Sequence, residues 1–256
     1  MADEPPPAID ASAIEAPAGY VLGPCIGGRP AVTRVFAGVD ATQRPVALKT
    51  LDPCARADSL ARARFAAERR CHVRASGAAH VMPIVDATLD EWLITAWAHG
   101  GTLDEVPPQS YAAVLEIVTD LLRACVTLAA RGIVHRDIKP SNVLRDRGSV
   151  WLTDFGIAAA YTSNGGWRAL PEPWVETEIG TPGWVAPELQ CADPAQATHP
   201  ANDVYSVARM WEWMRETARV TREDEPHVCA ALRSQMLSPD PGARPSASDA
   251  LTLLSG

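Results

Sequence analysis

Eight consecutive residues, His135-Arg136-Asp137-Ile138-Lys139-Pro140-Ser141-Asn142, are followed after a short hydrophobic stretch by Asp154-Phe155-Gly156. Asp137 can orient a hydroxyl, Asn142 can bind a metal ion, and Asp154 can bind the metal that bridges phosphates. Together they suit phosphoryl transfer, which asks little covalent chemistry of a protein and much positioning and charge stabilisation. A lone His-x-Asp belongs as readily to a helix cap or a turn. Here both runs precede Ala186-Pro187-Glu188, and the three occur in one order along the chain.

The elements that must hold these groups can be read from periodicity and turn residues. Val35–Gly38 and Val46–Lys49 read as strands about a turn at Asp40–Pro45, and Trp92–Thr95 as a further strand. Ser59–Arg74, rich in Ala and Arg, reads as a helix. From Ser110 to Arg131, apolar residues recur at Val114, Ile117, Val118, Leu121, Leu122, Cys125 and Leu128, a helical period stopped by Gly132. Strands first and helices afterwards give an α+β class with a small β-rich lobe and a larger helical one. The expected divisions are a flexible Pro/Ala-rich lead-in over 1–17, an N-lobe with hinge over 18–98 and a C-lobe over 99–256.

The ordered motifs resemble those of the protein kinase superfamily, specifically a bacterial-type serine/threonine protein kinase, over roughly Tyr20 to Leu254. The resemblance implies a bilobal fold that uses ATP and Mg2+ to phosphorylate a Ser/Thr acceptor on a protein substrate, with autophosphorylation. It makes Asp137 the catalytic base and Lys139 the group that steadies the transferring phosphate. Asn142 and Asp154 become metal ligands, Lys49 the contact to the α- and β-phosphates, and Glu68 its partner. The adenine pocket falls to Thr95, to backbone groups of Ala96 and Ala98, and to Ile26, Val35, Ala47 and Leu144. Glu188 is expected to pair with Arg244, and Asp203 to anchor the backbone of the catalytic loop. Arg136 before Asp137 suggests a switch through phosphorylation of Thr177, with Glu176 and Glu178 as alternative sources of negative charge.

One stretch departs from the family pattern. Setting Val35-Phe36 against its usual strand leaves Gly28, Pro30 and Thr33 where a glycine-rich phosphate loop has three glycines. Pro30 lacks a donor and fixes its φ, so a weaker grip on phosphate is expected. Two alternatives follow: a non-catalytic scaffold, which the worn loop favours, and a small-molecule kinase, which the Gly180–Glu188 docking-loop sequence disfavours.

Composition narrows the partners. A net charge of −8 across 256 residues disfavours nucleic acid. The six cysteines show neither C-x-x-C nor ligand spacing, which suggests reduced and mostly buried thiols. With no signal peptide and no apolar run long enough to span a membrane, a cytoplasmic protein is expected. The last expected helix ends near Gly256, so no sensor domain is expected, and regulation is left to the activation segment, a regulatory partner or a homodimer.

Overall fold

The computed structural model describes residues 14–161, 167–168, 179–190, 199–220 and 224–255. The chain divides into two compact units, Met1–Phe65 with Ile84–Trp97, and Ala66–Pro83 with Ala98–Gly256.

The first unit is built on a five-stranded antiparallel sheet of order β1-β2-β3-β5-β4, formed by β1 (Tyr20–Gly27), β2 (Thr33–Asp40), β3 (Pro45–Leu51), β4 (Ile84–Asp86) and β5 (Trp92–Ala96). Successive side chains of a strand alternate between faces. Phe36, Val46, Leu48, Trp92 and Ile94 therefore form one buried cluster, which Ile14 closes. Ile14, inside the stretch expected to be a loose lead-in, is buried there. The β2–β3 turn is held by Asp40, whose Oδ1 accepts hydrogen bonds from Thr42 N, Thr42 Oγ1 and Arg44 N. Helix α1 (Ser59–Ala75) begins in this unit, where Ala61 and Phe65 pack with Leu51, Ala55 and Leu93.

The second unit is mainly helical. Helix α2 (Tyr111–Ala130) turns Val114, Ile117, Val118, Leu121, Leu122, Cys125 and Leu128 inward, the stripe its period predicts. Ser110 caps its N-terminus by accepting from Ala113 N at 3.2 Å. Around α2 lie β6 (Ile133–Val134), the hairpin β7 (Val143–Asp146) and β8 (Ser149–Leu152), β9 (Ala159–Tyr161), β10 (Trp167–Arg168), α3 (Ala201–Thr217), α4 (His227–Met236) and α5 (Ala247–Ser255). Residues 66–83, expected with the N-lobe, belong to this unit. Cys71, Ala75, Ala78 and Val81 join its core, and Met82 N donates to Leu152 O at 2.9 Å. Among the described cysteines, 71, 125 and 229 are buried, while 25 and 54 are exposed; all five are free thiols. No helix among the described residues is long and apolar enough to cross a membrane.

The expected pair of Glu188 and Arg244 is present. The guanidinium bonds both carboxylate oxygens, at 2.5 and 2.7 Å, with both side chains almost wholly buried. Arg244 also donates to the carbonyls of Ser238 and Ala201 and lies over the Tyr205 ring, 4.9 Å from its centroid. Removing one partner of such a pair leaves an uncompensated buried charge. Glu188→Ala should therefore cost about 3–5 kcal/mol. The Glu188→Leu/Arg244→Met double variant should recover part of that loss, as read from urea unfolding midpoints.

Candidate active site

In the helical unit, β6 delivers the chain into the loop that carries Asp137. The buried Asp203 on α3 organises this loop by accepting from His135 N and Arg136 N, both at 2.8 Å. Those bonds hold Arg136 at φ 68°, a conformation that L side chains rarely adopt. Burial pushes the Asp203 carboxyl up, against the opposing pull of its bonds to the loop. Arg136 is itself buried, which lowers its guanidinium to about 10. Its Nε donates to Ile157 O at 2.7 Å, whereas its Nη1 makes no hydrogen bond among the described residues.

His135 fixes its own tautomer. Its Nδ1 accepts from Asp137 N at 3.3 Å, so in the neutral ring Nε2 carries the proton and donates to Thr153 O at 3.1 Å. Its ring meets Phe155 edge-on at 4.8 Å, and His72 of α1 lies 4.7 Å from the other partner in that stack, Phe155. Asp154, at φ 64°, accepts from Gly156 N at 3.1 Å. A Cβ at Gly156 would lie 3.0 Å from Asp154 Oδ1 and 3.7 Å from Glu68 Oε2, so the buried Glu68 is placed against this turn.

The Asp137 carboxylate is bonded from three directions. Lys139 Nζ reaches Oδ2 at 2.8 Å, Asn142 Nδ2 reaches Oδ2 at 2.9 Å, and Thr181 Oγ1 donates to Oδ1 at 2.7 Å. Lys139 Nζ also donates to Thr181 Oγ1 at 2.8 Å. The sequence marks Thr181 only as a member of the Gly180–Glu188 stretch, yet the structure brings it onto the Asp137 carboxylate. Gly180 enables its approach, because at φ 95° a Cβ would lie 3.0 Å from Arg136 O and 2.8 Å from Val185 Cγ2. The loop then turns through Trp184 N and Val185 N, both donating to Thr181 O.

The same geometry tests the fit of a metal. Asn142 spends its amide hydrogens on Asp137, on the backbone carbonyl and the carboxylate, so its oxygen remains to act as a ligand. That oxygen and the Asp154 carboxylate are hard donors. Mg2+ is commonly held by one or two carboxylates together with substrate phosphates.

In the sheet unit, the register pairs Val35 with Lys49 and Ala47 with Thr95, which puts these four residues on one face, opposite the Phe36–Leu48 cluster. Ala96 pairs with Val46 at the end of β5. Ile26, expected as a pocket wall, is 50% exposed at an irregularity in the β1–β2 ladder. In the helical unit, Ala98 is half-buried and Leu144 pairs with Trp151 on the β7–β8 hairpin.

Chain Gly28–Thr33 forms a turn closed on itself. Arg29 N donates to Thr33 Oγ1 at 3.1 Å, and Val32 N and Thr33 N both donate to Arg29 O at 2.9 Å. Pro30 has no N–H, so of residues 29–33 only the Ala31 amide takes no part in this bonding among the described residues. Gly28 at φ 116° is required, because a Cβ there would come 2.3 Å from Thr33 O.

The family described as protein kinase domain matches residues 26–230. The chain belongs to the protein kinase family. This family uses ATP with Mg2+ as phosphoryl donor and metal cofactor. Among the chain's relatives is the serine/threonine-protein kinase AfsK of Streptomyces coelicolor, 32% identical over 183 residues, which cover 69% of this chain and 22% of that one. The serine/threonine-protein kinase PknL of Mycobacterium tuberculosis is 35% identical over 190 residues, 68% of this chain and 43% of its own. The serine/threonine-protein kinase shk1/pak1 of Schizosaccharomyces pombe is 37% identical over 102 residues, 38% of this chain and 14% of its own. The chain thus spans about a fifth of AfsK and less than half of PknL.

Freeing the closed turn should improve phosphate binding. Pro30→Gly/Thr33→Gly restores one donor and releases the Arg29 amide. A hydrogen bond to a charged group is worth about 1.5–3 kcal/mol, so ATP affinity should tighten about tenfold or more. Titration of ATP against wild type and double variant reads the change, and unchanged affinity would show that phosphate is held without this loop.

Proposed function

We propose that the chain is an ATP-dependent serine/threonine protein kinase that transfers the γ-phosphoryl group to a hydroxyl of a protein substrate and phosphorylates itself. The observation that carries this reading is the Asp137 carboxylate, held at once by Lys139, Asn142 and Thr181. So held, it is aimed to accept a hydrogen bond from an incoming hydroxyl and to draw off its proton as the phosphoryl group departs ATP. Lys139, next to that carboxylate, supplies positive charge for the equatorial oxygens of the transferring group. Asn142 and Asp154 would hold Mg2+, which when bound neutralises charge on the phosphates. Lys49 and Glu68 keep the roles the resemblance gives them, as do the adenine-contacting positions. The closed turn at residues 28–33 favours a second reading, a non-catalytic scaffold, and the same assays separate the two.

Asp137→Asn should lower phosphoryl transfer at least about 100-fold while nucleotide binding stays near wild type. Asp154→Asn should also weaken Mg2+-dependent nucleotide binding. Incubation with ATP, Mg2+ and a generic protein substrate, followed by intact mass, measures turnover; full turnover in Asp137→Asn would overturn the assignment. Thr181→Val should lose turnover that Thr181→Ser keeps.

A switch in which phosphate on Thr177 bonds the Arg136 guanidinium is supported by its Nη1, which has no hydrogen-bond partner among the described residues. Thr177, Glu176 and Glu178 lie outside the described residues. Phosphosite mapping of the active chain should find phosphate on Thr177 and none there in Asp137→Asn. Full activity in Thr177→Ala, with that site unmodified in wild type, would leave the glutamates as the source of charge.

A further inference from the structure

Beside Thr181 the helical unit carries a cavity of about 290 Å³, walled by Asp104, Lys139, Ser141, Thr181, Trp184 and Trp213. Two of its walls, Lys139 and Thr181, bond the Asp137 carboxylate at 2.8 and 2.7 Å. The cavity therefore opens where side chains neighbouring an acceptor hydroxyl must pass. Its volume suits one long side chain.

The charge of the cavity is one-sided. The Lys139 ammonium is already matched by Asp137. Asp104 is exposed and forms no ion pair among the described residues. Among the described residues of the lining, the carboxylate of Asp104 is the charge left without a partner. The lining is also aromatic: Trp184 and Trp213 meet edge to face, with centroids 6.0 Å apart and planes at 75°. Both indoles are half-buried and pack against the helical core, so they present fixed surfaces. Arg209 Nε pins the preceding residue by donating to Gly183 O at 3.0 Å. Indole is the ring that attracts a cation most strongly. A cavity lined by both a carboxylate and indoles selects a long side chain with an apolar stem and a positive head. An acidic side chain meets repulsion from Asp104, and an apolar one leaves the carboxylate unused. The net charge of −8 adds a long-range pull on cationic segments.

We propose that this cavity takes a basic side chain of the phosphoacceptor protein, so that the substrate class is a serine or threonine flanked by arginine or lysine. The assignment builds on the protein kinase reading above and deepens it.

Alanine-based peptides with one serine, and with Arg, Leu or Glu walked through the three positions on either side, test it on the full chain. Two readouts are taken: kcat/KM for phosphorylation, and the shift of the Trp184 and Trp213 indole NMR signals on titration without nucleotide. Arginine at one position should raise kcat/KM about tenfold over leucine, and further over glutamate, as an ion pair and a cation–π contact together allow. The same peptide should shift both indoles. Asp104→Lys, at an exposed position, should invert the arginine-to-glutamate ratio in both readouts. A wild type with flat or leucine-favouring preference, or an Asp104→Lys chain whose ratio is unchanged, overturns the assignment while turnover itself upholds the kinase reading. Indole shifts that depend on arginine and Asp104 without phosphorylation of any peptide would support the cavity and sink the kinase reading. Neither shift nor turnover overturns both.

Discussion

The helical unit of this protein hangs its candidate catalytic loop on one buried carboxylate. Asp203 accepts the amides of His135 and Arg136, and so closes a loop whose backbone would otherwise bury two donors without partners, each at a cost of about 1–3 kcal/mol. The arrangement is costly in another sense, since burial disfavours the charge on Asp203 itself. What the cost secures is a left-handed Arg136, and from it the direction in which Asp137 leaves the loop. Lys139, Asn142 and Thr181 can converge on Asp137 only because its backbone is fixed first.

The docking loop is held by a parallel device at its other end. Gly180 lets the chain approach Arg136 closely, and the Glu188–Arg244 pair secures the far end. Thr181 sits between these two constraints and touches both Lys139 and Asp137. Its hydroxyl couples the segment that would receive substrate to the group that would accept the substrate's proton. A displaced Gly180–Glu188 loop would withdraw one of the three bonds on Asp137, so under the proposed function docking and chemistry would share a single hydrogen-bonded unit.

Features governed by local pattern were legible in the sequence. The apolar stripe of α2 and the β2–β3 turn follow from residues close to one another, and the structure places them where the period and turn chemistry put them. The motif at 135–142 was legible because its chemistry is contiguous, and the partners of Asp203 and Glu188 because the family resemblance supplied them. Thr181 was not legible as a ligand of Asp137: the two are 44 residues apart, and a threonine in a Gly-Thr-Pro turn carries no local mark of that contact. The grouping of residues 66–83 with the helical unit was hidden for a similar reason, because it depends on which distant core Cys71, Ala75 and Val81 reach. Ile14 lies in a Pro- and Ala-rich stretch whose composition argues for disorder, yet it joins the buried cluster of Phe36 and Trp92.

The closed turn between β1 and β2 also has an entropic side. A glycine-rich loop is free in solution and must be ordered when phosphate arrives, at roughly 1–2 kcal/mol for each residue fixed. Here Pro30 restricts its own φ, and three hydrogen bonds among Arg29, Val32 and Thr33 already order the segment. Little freedom is left to lose when a ligand binds. The turn has exchanged donors that a nucleotide could use for order that a nucleotide need not impose, so weaker contacts and a smaller ordering penalty come from the same few residues.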